Sequence, residues 1–126
     1  VDQIKKIELI IQLRNSALTM WGYLITVSLG VTAYLGTQQF SIEPIASIAL
    51  IFLYGLFAIS NANALLTNFK SRNILSDYEK EDDNEELSKF IKLNSLDNKS
   101  IKINMIFHLI VDNCVIAMIL FKTTWN

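Results

Sequence analysis

The chain has 126 residues, 52% of them hydrophobic and 18% charged, with a formal net charge of −1. Its eleven Lys+Arg and twelve Asp+Glu are crowded into a few stretches, which leaves apolar runs long enough to cross a bilayer. This distribution excludes an ordinary soluble domain, a disordered chain, a collagen and a disulfide scaffold, and the near-zero net charge excludes a global basic field for nucleic acid.

Residues 1–16 read as an amphipathic helix. Ile4, Ile7, Ile11 and Leu18 recur at helical spacing, Leu9, Ile10 and Leu13 widen the face, and Lys5, Lys6, Glu8 and Arg14 occupy the rest. Such a segment lies at the membrane surface or extends the first span.

Between Arg14 and Glu43 lie 28 residues without a formal charge. The first span is predicted over 17–36, about 30 Å of helix, which matches the hydrocarbon thickness. A run of that length is expected to remain as a span and not to be removed as a signal peptide. Residues 37–43 form a short link. Pro44 suits a first helical turn, where its missing N–H costs nothing. The second span is predicted over 44–68.

Residues 70–102 hold seven Lys/Arg and eight Asp/Glu, against none in the preceding 26. Ser76-Asp77-Tyr78-Glu79 matches a capping box. The acidic run Asp77, Glu79, Glu81, Asp82, Asp83, Glu85 and Glu86 reads as solvated; it lacks the spacing and the central Gly of an EF-hand loop. Leu87, Phe90 and Ile91 fall at i, i+3, i+4, which predicts a short amphipathic helix and offers a face to a soluble partner. Asn94-Ser95 and Asp97-Asn98 break that helix, and Ser100 is placed to cap the third span, 101–121. Trp125 in the tail is an interfacial residue type.

The expected fold is therefore all-α, a single membrane domain over 1–126. It has three transmembrane helices, an N-terminal amphipathic helix and a charged cytoplasmic helical loop over 70–100. The Lys/Arg distribution is three in 1–16, none in the link, seven in 70–102 and one in the tail. This puts the N-terminus and the charged loop in the cytoplasm and the C-terminus opposite, as in a bacterial inner membrane.

Asp112 stands near the middle of the third span, where a charge costs roughly 2.5–3.5 kcal/mol on insertion scales. Asn104, His108 and Asp112 share one helix face at i, i+4, i+8, and Asn113 broadens it. That stripe needs a helix or water to face. The expected partners of Asp112 at comparable depth are Tyr23, Thr26 and Tyr54. The alternatives are an ion or proton path and a buried polar network. Asn61 and Asn68 share a face of the second span and could line a vestibule toward Asn104; Thr67 and Asn68 are better read as lying at the headgroups. Small residues form two rows, Gly22, Thr26 and Gly30 on the first span and Gly55, Ala58 and Ala62 on the second, which let helices approach closely within the chain or between copies.

One histidine rules out HExxH and clustered zinc ligands, and no phosphate-binding or nucleophile-elbow motif occurs. The expectation is a non-enzymatic membrane protein without cofactor, embedded in lipid. Three readings stand: a homo-oligomeric channel with the Asn104/His108/Asp112 face toward its lumen, a membrane anchor or sensor recruiting a soluble cytoplasmic protein, and an immunity-type protein that blocks a membrane-directed toxin.

Overall fold

The computed structural model describes residues 3–37, 41–78 and 85–124. Four helices follow in chain order: α1 (Gln3–Thr37), α2 (Pro44–Tyr78), α3 (Glu85–Asn94) and α4 (Asn98–Lys122). Three of them are long and apolar enough to cross a membrane. The large outward side chains are those of a lipid-facing surface: Leu29, Ile48, Phe52, Leu53, Ile59, Leu109 and others are more than half exposed.

α1 is one unbroken helix, so of the two readings of residues 1–16 the extension of the first span is the one found. No proline interrupts residues 3–37, and no polar cap separates Ser16 from Ala17. Its inward face also differs from the expected one. Ile10 and Ala17 are buried and Ile7 is half-buried, while Ile4 and Leu18 point outward.

Pro44 does open α2, with the Glu43 carbonyl accepting the Ser47 N–H at 3.0 Å. Ser76, Asp77 and Tyr78 of the expected capping box belong to the end of α2. Glu79, Glu81, Asp82, Asp83 and Trp125 lie outside the described residues. Asp97, not Ser100, caps α4: its carboxylate accepts the Ser100 N–H at 2.7 Å.

α1, α2 and α4 pack side by side, α2 antiparallel to the other two. Three clusters fill the space between them. Leu35, Ile42, Tyr54, Ala58, Val115 and Ile119 pack at the end remote from the charges. Ala17, Leu65, Phe69 and Ile101 pack in the other half of the bundle. Ile10, Leu87 and Ile91 form the third cluster, where α3 meets α1, with Leu75 of α2 and Phe90 against it.

The remote end is closed by a clasp. Ile42 and Thr123 make an isolated parallel bridge, with Ile42 N–H donating to Lys122 O at 3.0 Å and Thr124 N–H to Ile42 O at 3.1 Å. The Ser47 and Thr123 hydroxyls bond to each other in its interior.

The charged end is built differently. α1 and α2 have 35 residues each. At 1.5 Å per residue that is about 52 Å, some 20 Å more than the hydrocarbon needs. Lys5, Lys6 and Arg14 on α1 and Lys70 and Arg72 on α2 all lie at the same end, beyond the apolar stretches of the two helices. α3 lies against these segments. Arg72 Nε and Nη2 donate to the carbonyl of Asn94, the last residue of α3, at 3.0 and 2.6 Å. Arg14 Nη1 reaches Asn94 Oδ1 at 3.5 Å. Two cations thus meet the negative end of the α3 dipole, and Glu85 and Glu86 sit at its positive end.

Candidate functional site

Between the two apolar clusters of the bundle lies a layer of polar side chains from all three spans. On α4, His108 and Asp112 are one turn apart, and both are buried. His108 Nδ1 lies 2.6 Å from Asp112 Oδ2. Tyr54 on α2 donates its hydroxyl to the other carboxylate oxygen, Asp112 Oδ1, at 3.0 Å. The single Tyr54 hydrogen is then committed, so Ser28 Oγ on α1, 3.1 Å away, donates to Tyr54. On the opposite side, His108 Nε2 lies 2.9 Å from Asn61 Oδ1, and Asn61 Nδ2 donates to the Met20 carbonyl at 2.9 Å. The Trp21 ring lies beside the imidazole, with centroids 5.8 Å apart.

This geometry fixes the orientation of the Asn61 amide and one of the protons. The Met20 carbonyl only accepts, so the Asn61 nitrogen must face it and the Asn61 oxygen must face His108. His108 Nε2 therefore carries a hydrogen. The short contact between Nδ1 and Oδ2 then needs a second proton, held either by the imidazole or by the carboxyl. In both cases His108 and Asp112 together have zero net charge. The layer thus buries a carboxyl group between the helices without an uncompensated charge, the condition under which such a residue is tolerated in a membrane span.

Of the three partners expected for Asp112, Tyr54 is the one found; Tyr23 and Thr26 point outward. The expected stripe divides. His108 and Asp112 face the bundle interior. Asn104 is half-buried and donates to the Ser100 carbonyl of its own helix at 2.8 Å. Asn113, one residue or about 100° beyond Asp112, is exposed.

Asn61 and Asn68 form rungs, not a vestibule. Asn68 Nδ2 donates to the Leu13 carbonyl at 2.7 Å, as Asn61 does to Met20. The rungs are seven residues apart on both helices, running in opposite chain directions. Asn68 is 4% exposed, so it is buried between the helices.

The two small-residue rows also part company. Ala58 is buried and Gly55 and Ala62 are half-buried, so the α2 row packs within the chain. Gly22, Thr26 and Gly30 are exposed, and a Cβ added at Gly22, Gly30 or Gly55 would meet nothing within 4 Å. Leu87 and Ile91 are buried against Ile10, with Phe90 half-buried beside them. The face that the sequence offered to a soluble partner is covered by the chain's own α1 and α2.

Among the described residues no three His, Cys, Asp or Glu side chains converge. No known protein family, curated protein or solved structure matches the chain.

Proposed function

We propose that this chain is a non-enzymatic integral membrane protein that anchors a soluble partner at the cytoplasmic face and couples it to the spans. The observation that carries this reading is the continuity of α1 and α2. Each runs as one helix from the remote end of the bundle, past the His108–Asp112 layer, to a projecting stalk on which α3 is fixed by Arg72. A displacement of the helices within the bilayer is transmitted to the stalk without an intervening hinge. The Lys/Arg-rich end is the cytoplasmic one by the distribution of basic residues. Ile74 of α2 and Leu93 of α3 are 61% and 78% exposed on this stalk, where no lipid covers them, and they supply apolar contacts for a partner.

A pore lined by the polar face of α4 is less well supported. That face meets Asn61 and Tyr54 of the same chain, and the clasp ties the remote ends of α2 and α4.

The test is purification of the tagged chain from native membranes in mild detergent. The anchor reading expects a soluble protein at fixed stoichiometry, released by Leu93→Glu or Ile74→Glu while the helical content is unchanged. Ion current from the reconstituted wild-type chain, lost in Asp112→Asn, would replace the anchor with a channel.

A further inference from the structure

α4 presents a second pattern, on the face turned away from its own bundle. Ile103, Ile106, Ile110, Asn113, Ala117 and Leu120 are spaced 3, 4, 3, 4, 3, the alternation of a heptad seam. All six are exposed: the three isoleucines by 55–57%, Leu120 by 40%, with Asn113 and Ala117 also open. Spacing of this kind alone describes any lipid-facing stripe. Asn113 sets this one apart.

Asn113 lies two residues from the centre of the 101–121 span, at the depth where water is absent. Its Nδ2 donates to the Leu109 carbonyl at 2.8 Å, which uses one of its two N–H groups. The second N–H and the Oδ1 acceptor have no partner among the described residues, and hydrocarbon offers none. The missing group must supply one acceptor and one donor at the same depth on a closely approaching helix. A second Asn113, related by a two-fold axis along the membrane normal, supplies both. The two amides then bond reciprocally, as an isologous interface requires. Ala117, one turn further on, is small enough to let the helices close around that pair. The isoleucines and Leu120 supply knobs for the remaining layers, and a single polar residue in an apolar seam fixes register and copy number.

We infer that two copies of this chain dimerise in the membrane through the outward face of α4, in parallel, with Asn113 paired across the axis. The inference goes beyond the anchoring role and does not depend on it, since its readout is a crosslink between copies and needs no soluble partner.

The experiment uses the full chain in native membranes, with Cys114→Ser as background and single cysteines at Ile110, Ala117 or, as a control on another face, Thr26. Membrane-permeant oxidation is expected to give a disulfide dimer from Ile110→Cys and Ala117→Cys, and none from Thr26→Cys. Adding Asn113→Leu is expected to lower the dimer fraction at least fivefold, and Asn113→Gln to retain most of it. Because Asn113 faces outward, neither change disturbs the bundle, and unchanged helical content verifies this. Equal crosslinking from Thr26→Cys, monomer from both seam cysteines, or an undiminished dimer with Asn113→Leu would each overturn the inference. Loss of a soluble partner in any of these variants leaves it untouched.

Discussion

His108 and Asp112 meet at 2.6 Å on one face of α4 and then diverge, His108 to Asn61 and Asp112 to Tyr54, both on α2. Those two α2 residues are seven apart, two turns, while the α4 pair are four apart. The ring and the carboxylate therefore bridge a longer stretch of α2 than their own spacing. Through Ser28 and Met20 the same chain of bonds reaches α1 at two levels. In lipid there is no hydrophobic force between helices to set their mutual rotation, so a directional layer of this kind does so.

Because the pair is neutral overall, the effect of neutral replacements follows from its hydrogen bonds. In Asp112→Asn the amide oxygen still accepts from Tyr54, and the amide nitrogen donates to His108 Nδ1. The bundle should change in stability by less than about 1 kcal/mol, in line with the modest worth of membrane hydrogen bonds. Asp112→Leu removes the carboxylate from the Tyr54 hydroxyl and from His108 Nδ1, leaving them only Ser28 and Asn61, and should lose roughly 2–6 kcal/mol, one to three for each group deprived of its bond. Unfolding midpoints in mixed micelles measure both. Equal losses for Asn and Leu would mean that the pair is held by charge and not by the assigned hydrogen bonds.

Gly22 and Gly30 give the opposite kind of expectation. Both are in open space within a helix, so a Cβ meets nothing and the helix gains propensity. Gly22→Ala and Gly30→Ala should hold or raise the unfolding midpoint of the purified chain, by at most about 1 kcal/mol each. A clear drop would show that another helix covers this face in the assembled protein.

Part of this structure was legible in the sequence. The three spans follow from charge-free runs that no water-soluble helix would carry, and the His108–Asp112 contact follows from their four-residue spacing. Asn113 was assigned to the same stripe, but adjacent residues differ by about 100° around a helix, enough to carry it from the interior to the lipid face. The Asn61 and Asn68 rungs depend on which α1 carbonyls lie opposite, a matter of helix register that local periodicity does not contain. Leu87, Phe90 and Ile91 announced an amphipathic helix without naming what it packs on. Their partner, Ile10, lies 77 positions earlier in the chain. The change in composition at Ser16 leaves open whether residues 1–16 lie on the surface or extend the first span, and the backbone, with no proline or cap there, continues as one helix.

The orientation is tested with single cysteines on the Cys114→Ser background. Labelling by an impermeant reagent in intact cells should reach Gln39 and not Asn84. The three, none, seven and one pattern of basic residues sets this expectation. Labelling of Asn84 from outside would invert the molecule and move the stalk to the other face.

The stalk rests on Arg72. The residue is 9% exposed, and its guanidinium gives two N–H groups to the Asn94 carbonyl, while Asn73 Oδ1 accepts the Leu96 N–H at 3.1 Å just beyond. A charge-assisted bond to a helix C-terminal carbonyl contributes about 1.5–3 kcal/mol, and α3 has only ten residues, too few to persist without docking. Arg72→Ala should therefore release α3 while leaving the spans intact. Trypsin cleavage after Lys89 and Lys92 should accelerate by at least tenfold, with helical content falling by little more than α3 itself. Arg72→Lys keeps the charge but lacks the planar fork, so its cleavage rate should fall between the two. Asp112→Leu should loosen the spans instead, with a smaller effect on cleavage at the stalk. If Arg72→Ala and wild type are cut at the same rate, α3 is held by Leu87 and Ile91 alone, and Arg72 does not fasten the stalk that the anchoring role requires.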